Sequence, residues 1–462
     1  MIHYYTLLGQ NIVLDVYSGA VHVLDDIAYA VVEHFGQQFE AADTCPASLI
    51  SALSGRFTPE QILGAYGEIH TLVQNEMLYT NDAYAEYAKN LEKRSVVKAM
   101  CLHIAHDCNL RCKYCFAGAD SEQGAGSYEG KRSKMSAEVG KKAIDFVIAN
   151  SGKRKNIEID YFGGEPLINF GAVKEITAYA EEQGAIHGKT FRFTITTNGL
   201  LLDDEKLEYI NAHMSNVVLS IDGTKAVNDA MRVRADGSGC YDAIVPKFLK
   251  LAESRGQDNY YVRGTFTAHN LDFAKDVLHL ADLGFLQTSV EPVVAADSEP
   301  YALLPEHLPQ IYAEYEKLAA EYVARRKAGN GFNFFHFMVD LEQGPCVIKR
   351  LSGCGSGHEY VAVTPDGDIY PCHQFVGKEE FKMGSVLDNT FDEDIKQVFQ
   401  KSNVYTKPDC MKCFAKFYCS GGCPANAYNF NGDIDKPYAI ACDMERKRVE
   451  CAIASLAASV SF

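Results

Sequence analysis

Residues 102–118 read LHIAHDCNLRCKYCFAG. An apolar, strand-like run over 100–105 passes directly into Cys108-x3-Cys112-x2-Cys115. Three thiolates at this spacing can hold three irons of a [4Fe–4S] cubane, and the missing fourth thiolate leaves one iron open to a cofactor or substrate. A zinc site would need a fourth Cys or His nearby. His103 and His106, on the strand and at its end, read instead as packing residues.

Outward from this stretch, the spacing of apolar residues predicts strands at 100–105, 157–162, 191–197, 217–221, 260–267 and 288–293. Helices are predicted between them at 137–150, 172–183, 204–212, 241–255 and 272–283. Such alternation implies parallel βαβ units. Six strands fall short of an eight-stranded barrel, so an open doubly wound sheet and a partial barrel both remain. The Gly-rich stretch Ala117–Gly130 either covers the site or lies disordered.

Residues 1–92 form a separate α+β module. HYYTLLG and NIVLDVYSGAVHVLD are strand-like, divided by turn-prone Gly9-Gln10 and Ser18-Gly19. A helix starts near Asp26, and a second is announced by the N-cap, Pro and capping-box Gln of Thr58-Pro59-Glu60-Gln61. Ile62, Tyr66, Ile69 and Val73 give that helix one apolar face. The module holds no catalytic cluster; a hairpin with amphipathic helices suggests a winged-helix-like binding unit or a structural cap. The alternating strand–helix region spans 93–303, followed by a helical connector at 304–339 and a Cys/Gly-rich region at 340–462 with sparse regular structure. Gly353-x-Gly355-x-Gly357 lacks the strand-to-helix setting of a nucleotide loop.

Composition narrows the classes. The 462 residues, 47% hydrophobic and 23% charged, suit a folded chain of about three domains. A net charge of −17 argues against general nucleic-acid binding. No apolar run reaches a membrane span and no secretory signal opens the chain, so a cytoplasmic protein is expected. Fifteen cysteines, an odd number in clusters, disfavour disulfides and point to metal. Cys45, Cys101, Cys240 and Cys451 stand apart and read as small buried hydrophobes. Taken alone, Cys410, Cys413, Cys419 and Cys423 could also hold structural zinc.

Cys-x3-Cys-x2-Cys with Tyr114 before the last cysteine resembles the signature of the radical S-adenosylmethionine superfamily. Further motifs follow the ends of successive strands, where barrel enzymes assemble their sites. Gly163-Gly164-Glu165 resembles the family motif whose backbone and Glu bind the methionyl ammonium. Thr197 and Asn198 are similar to the segment beside the ribose. Ser220 and Asp222 resemble contacts to ribose and methionine carboxylate, and Arg232, with Arg234 competing, lies where relatives aim an Arg at that carboxylate. The resemblance implies an α/β partial (β/α)6 TIM-type barrel.

Cys354, Gly367, Cys372, Cys410, Cys413, Cys419, Cys423 and Cys442 are spaced like the SPASM extension of that superfamily. This likeness implies two auxiliary [4Fe–4S] clusters, hence three in all. Cys410, Cys413, Cys419 and Cys442 would hold the outer one; Cys354, Cys372 and Cys423 would hold the inner one. Its fourth ligand would be Cys346 or a substrate thiolate. His358 and His373, beside ligands, read as supporting or exposed residues. With the N-terminal module as a RiPP recognition element binding a leader peptide, the whole chain resembles the maturases of SCIFF peptides. The family implies a Cys-sulfur-to-α-carbon thioether made in a small Cys-rich precursor peptide. It also implies S-adenosylmethionine, a flavodoxin- or ferredoxin-type electron donor, and an anaerobic or low-oxygen organism. Formylglycine formation in sulfatases, or carbon–carbon crosslinking, is the competing enzyme class. A peptide-binding scaffold without catalysis is the non-enzyme alternative.

Overall fold

Leu8 and Gly9, both at positive φ (51° and 73°), turn β1 (Ile2–Leu7) back onto β2 (Gln10–Asp15) as a two-residue hairpin. The turn falls one residue earlier than Gly9-Gln10 because Gln10 already pairs with Leu7. β3 (Val21–Leu24) adds antiparallel to β2, so β1 and β3 form the two edges. The Gln37 amide accepts from Ile2 N at 3.0 Å and donates to Ile2 O at 2.6 Å, closing the β1 edge at that point. Helices α1 (Asp26–Phe35), α2 (Ala47–Leu53) and α3 (Pro59–Gln74) pack on this sheet, and α4 (Tyr84–Ala88) leads out of the module. α3 opens with the expected capping box, and its Ile62, Tyr66 and Ile69 are buried with Ile2 and Val13. The structure is a computed structural model that describes residues 1–39, 44–89, 95–117, 132–341 and 347–459. Cys346 and the Gly-rich stretch after Ala117 lie outside the described residues.

The alternating region follows the expected order. β4 (Ala99–Ala105), β5 (Leu110–Cys112) and α5 (Ala137–Asn150) come first, then β6 (Asn156–Gly163), α6 (Phe170–His187), β7 (Thr190–Thr197) and α7 (Asp204–His213). β8 (Asn216–Ser220), α8 (Lys225–Met231), β9 (Arg232–Arg234), α9 (Tyr241–Ser254), β10 (Tyr260–Phe266), α10 (Ala274–Asp282) and β11 (Gln287–Pro292) complete it. The six long strands lie side by side, all parallel, in the order β4-β6-β7-β8-β10-β11. Because the order never reverses, the sheet winds in one direction as a partial barrel, and the doubly wound alternative fails. Burial alternates along each strand. Ile157, Ile159 and Tyr161, Phe193 and Ile195, and Val217 and Leu219 are fully or almost fully buried in the core. Asp160, Phe162, Thr194, Thr196, Ser220 and Thr265 point to the other face and stay half-buried. A closed barrel fills that inner face with large apolar side chains; here polar Asp160, Thr194, Thr196, Ser220 and Thr265 line it with Phe162.

α11 (Leu308–Lys327) is followed by β12 (Asn333–Phe334), which pairs with β11, and by α12 (Val347–Ser352). β13 (Tyr360–Val363) pairs parallel with β4 on the opposite edge. β14 (Asp368–Tyr370), β15 (Gly384–Ser385) and β16 (Thr390–Phe391) continue the sheet antiparallel. α13 (Glu393–Lys401), α14 (Pro408–Met411), α15 (Lys416–Cys419), α16 (Pro424–Asn431) and α17 (Ala439–Ser459) finish the region. Short elements match the expectation of sparse structure, but α17 corrects it: this helix is 21 residues long. It escapes notice because Cys451, Ala452, Ile453 and Ala454 are all buried, so no single apolar stripe marks it. The N-terminal module seats on it. Tyr5 Oη donates to Glu450 O at 3.0 Å, His3 meets the Glu450 carboxylate at 3.0 Å, and the His3 ring stacks on Phe414. Among the described residues no helix is long and apolar enough to cross a membrane.

The capping box makes the module's stability testable. Thr58→Ala should destabilise α3 by about 1 kcal/mol, speeding exchange of its backbone amides about fivefold. Unchanged exchange would show that packing alone fixes the helix start.

Candidate active site

The three-cysteine loop is held from several sides. β5, inside the loop, pairs antiparallel with β9 so that Cys112 faces Arg232. Asp107 Oδ1 accepts from Cys108 N at 2.9 Å, and Arg111 donates to the carbonyls of Cys108 and Leu110 at 2.6 and 2.8 Å. Asn198 Nδ2 donates to Asn109 Oδ1 at 2.8 Å and lies 3.6 Å from Cys108 Sγ. The loop therefore brings Cys108, Cys112 and Cys115 together. Burial, Glu165 and the Cys115 thiol push Cys108 up to about 12, against the Leu110 amide and Arg111. Burial also raises Cys112 and Cys115, while Arg232 pulls both down. Buried thiols that repel one another resist ionising on their own; iron supplies the positive charge that makes thiolates of them. That donor set fits the expected cluster.

Gly163 and Gly164 bring the end of β6 against this loop. Gly163 sits at φ +121°, and a Cβ on Gly164 would lie 2.2 Å from the Asp107 carbonyl oxygen. Gly164 N donates to Ala105 O and Glu165 N to Asp107 O. Glu165 is 1% exposed, and its carboxylate accepts from Leu167 N, Thr197 Oγ1 and Asn198 N at 3.0, 2.8 and 2.7 Å. Burial raises it to about 7 despite these three donors. These bonds tie the end of β6 to the end of β7. Thr197 is likewise turned inward, while Asn198 reaches the cluster loop.

Asp222 is also spoken for. At 0% exposure its oxygens accept from Tyr114 Oη at 2.7 and 2.8 Å, from Arg232 Nε at 3.0 Å and from Thr265 N at 3.0 Å. The Arg232 guanidinium also lies over the Tyr114 ring, 5.6 Å from its centre. Asp222 in this position holds Tyr114 and Arg232. Ser220 is half-buried on the same face as Thr194 and Thr196. Arg234 pairs through its backbone with Leu110.

Seven further described cysteines fall into two sets. The thiols of Cys354, Cys372 and Cys423 act on one another, and burial with these neighbours pushes Cys372 up to about 12. Cys410, Cys413, Cys419 and Cys442 line one cavity of about 360 Å³, from which Cys423 is absent. Burial and Cys410 push Cys442 up to about 11. A zinc site of Cys410, Cys413, Cys419 and Cys423 is thereby overturned, because Cys423 faces the other set. Among the described residues no three His, Cys, Asp or Glu side chains converge as the ligands of one ion do.

Other positions need smaller corrections. Cys101, Cys240 and Cys451 are buried, but Cys45 is only half-buried. Cys101 is more than filler, since the Tyr360 hydroxyl hydrogen-bonds its thiol and the Cys372 thiol acts on it. His103 and His106 pair with each other at 3.1 Å and are buried. His358 bonds Ser95 Oγ at 2.8 Å, and His373 packs between Phe116 and Phe162. The sequence gives no sign of a charged group at the ends of β10 and β11. There Glu291 lies 3.6 Å from Arg263 and 3.5 Å from His336, and Arg448 meets His336 at 2.8 Å. Its members come from four separate elements.

Residues 102–271 match the Radical SAM superfamily, and residues 354–424 match the iron-sulfur cluster-binding domain SPASM. The radical SAM cyclopropyl synthase TigE of Paramaledivibacter caminithermalis is 26% identical over 396 residues, 80% of this chain and 77% of that protein. A cysteine-type anaerobic sulfatase-maturating enzyme of Clostridium novyi is 24% identical over 340 residues, 69% of this chain and 86% of its own. The solved structure of anSMEcpe with bound AdoMet and the Kp18Cys peptide has a TM-score of 0.62 at 17% identity, covering 78% of this chain and 98% of that one. That likeness extends to the fold.

Asp222→Asn should lower the urea stability of the barrel by roughly 3–5 kcal/mol, because it leaves Arg232 buried without its counter-charge. A loss below about 1 kcal/mol would show that the pair does not hold the loop.

Proposed function

From a radical SAM superfamily enzyme with a C-terminal SPASM domain, we propose a peptide maturase that forms a Cys-sulfur-to-α-carbon thioether in a small, ribosomally made, Cys-rich peptide. The observation that carries this reading is the joining of two features: the three-cysteine loop at the open barrel mouth, and an N-terminal sheet with a spare edge. Gln37 closes β1, whereas β3 has no further strand beside it among the described residues. An extended leader segment can add there by backbone hydrogen bonds. The peptide's modified part would then reach the half-buried face lined by Asp160, Phe162, Thr194 and Thr196.

Cys108, Cys112 and Cys115 would hold the cluster that binds S-adenosylmethionine. Bound together, the two supply the 5′-deoxyadenosyl radical that takes a hydrogen atom from the peptide. The chain's own residues orient and enclose. Gly163 and Gly164 offer backbone to the methionyl ammonium, Asp222 steadies Arg232 and Tyr114, and Asn198 braces the loop. Cys354, Cys372 and Cys423 would hold the inner auxiliary cluster, with Cys346 or a peptide thiolate as fourth ligand. Cys410, Cys413, Cys419 and Cys442 would hold the outer one. A cytoplasmic setting and a flavodoxin- or ferredoxin-type donor belong to the same reading. The relative from Clostridium novyi favours a second reading, formylglycine formation, which removes sulfur from a substrate cysteine where a thioether retains it.

Co-expression with the Cys-rich peptide encoded nearby should give a product lighter by ~2 Da per crosslink, one pair of hydrogens each, with all sulfur retained. Loss of sulfur in the mass spectrum would sink the thioether. Anaerobically reconstituted protein should bind roughly twelve irons, and the Cys108/Cys112/Cys115 triple Ala variant about four fewer, with no 5′-deoxyadenosine formed. Continued cleavage by that variant would remove the central assignment.

A further inference from the structure

Lys416 lies on α15 between Cys413 and Cys419, and it is among the residues that line the cavity formed by the four outer cysteines. It is 2% exposed. Around the ammonium stand the rings of Tyr17, Phe417 and Tyr405, with centres 4.8, 5.1 and 5.3 Å away. The carboxylate within ion-pair distance is Asp82, at 3.7 Å, itself held by Tyr405 Oη at 2.6 Å. Tyr17 and Asp82 belong to the N-terminal module, while Tyr405, Lys416 and Phe417 belong to the C-terminal region. One buried cation thus joins the module to the outer cysteine set.

Burying an ammonium costs several kcal/mol. The three rings, the Asp82 carboxylate and the Met411 carbonyl, which accepts from the ammonium at 3.4 Å, offset that cost and hold the charge in a fixed place. What the charge does reach is Cys413 and Cys410, whose thiols act on it electrostatically. A cluster held there gains one negative charge on reduction. A fixed cation beside it stabilises the reduced form more than the oxidised form, and the nearby carboxylate moderates that effect.

We propose that Lys416 is a positioning residue in the electrostatic sense: it raises the reduction potential of the outer auxiliary cluster, with Asp82 of the N-terminal module as the opposing charge. The proposal rests on the reading that Cys410, Cys413, Cys419 and Cys442 hold a cluster. It goes beyond that reading by making the seating of the module a determinant of the cluster's potential.

The test is a redox titration, followed by electron paramagnetic resonance, of the full chain reconstituted anaerobically. The outer cluster is identified as the signal that Cys413→Ala removes. Lys416→Met should shift its midpoint to more negative potential, by about tenfold in the reduction equilibrium, or 59 mV for a one-electron couple. Asp82→Asn should shift it in the opposite direction, and the signal lost in the Cys108/Cys112/Cys115 variant should keep its midpoint in both. Opposed shifts are the mark of charge; a merely structural role would move both variants alike or neither. Shifts of the same sign, or none, overturn the proposal. If Lys416→Met fails to load the outer cluster, Asp82→Asn decides alone, and an unshifted midpoint there overturns it. A wild-type chain lacking any signal that Cys413→Ala removes would overturn the reading of the outer site, and with it this proposal.

Discussion

One buried carboxylate organises the candidate site. Asp222 ties the Tyr114 hydroxyl of the cysteine loop, the Arg232 side chain of β9 and the backbone of β10 to the end of β8. Each donor alone would be an ordinary hydrogen bond, but together they fix four chain segments around one carboxylate excluded from water. The cysteine loop cannot move relative to the barrel strands without breaking this set. The pairing of β5 with β9 repeats the constraint through the backbone, since Cys112 faces Arg232. Glu165 does the equivalent work one strand pair away, joining β6 to β7. Both buried acidic residues brace neighbouring strands around the cysteine loop.

The barrel was legible in advance because its strands and helices obey local periodicity. Strands expected at 157–162 and 191–197 are found at Asn156–Gly163 and Thr190–Thr197. The loop cysteines were legible too, since their spacing is written in the chain, but spacing alone would have grouped Cys423 with Cys410, Cys413 and Cys419. Three things were not. α17 buries much of its circumference, so it carries no stripe of the kind that reveals a surface helix. The inward turn of Glu165 and Asp222 depends in part on donors as far as 33 and 108 residues away, which local sequence does not pair with them. Lys416, in AKFY between two cysteines, has nothing in its own stretch that marks it as buried. Its burial follows only from Tyr17 and Asp82 arriving from the other end of the chain.

The chain is strongly acidic overall, yet its interior sites gather cations. Arg232 stands beside the loop cysteines, Lys416 beside the outer set, and Arg448 with Arg263 around Glu291. Burial raises the thiols at the first two places, and positive charge partly offsets that rise. A site built to take up thiolate-bound iron with a net negative charge needs such compensation from within, because screening by water is absent.

β4 carries a neighbour made early, β6, and another made some 260 residues later, β13. The module's β1 rests on Glu450 of α17, 445 residues further along the chain from Tyr5. During translation, therefore, the six parallel strands are complete before β4 can gain β13 on its free edge, and the N-terminal sheet has no seat until residue 450 is made. Contacts of such separation carry a large loop-closure entropy, so they are closed on a barrel that local contacts can already hold.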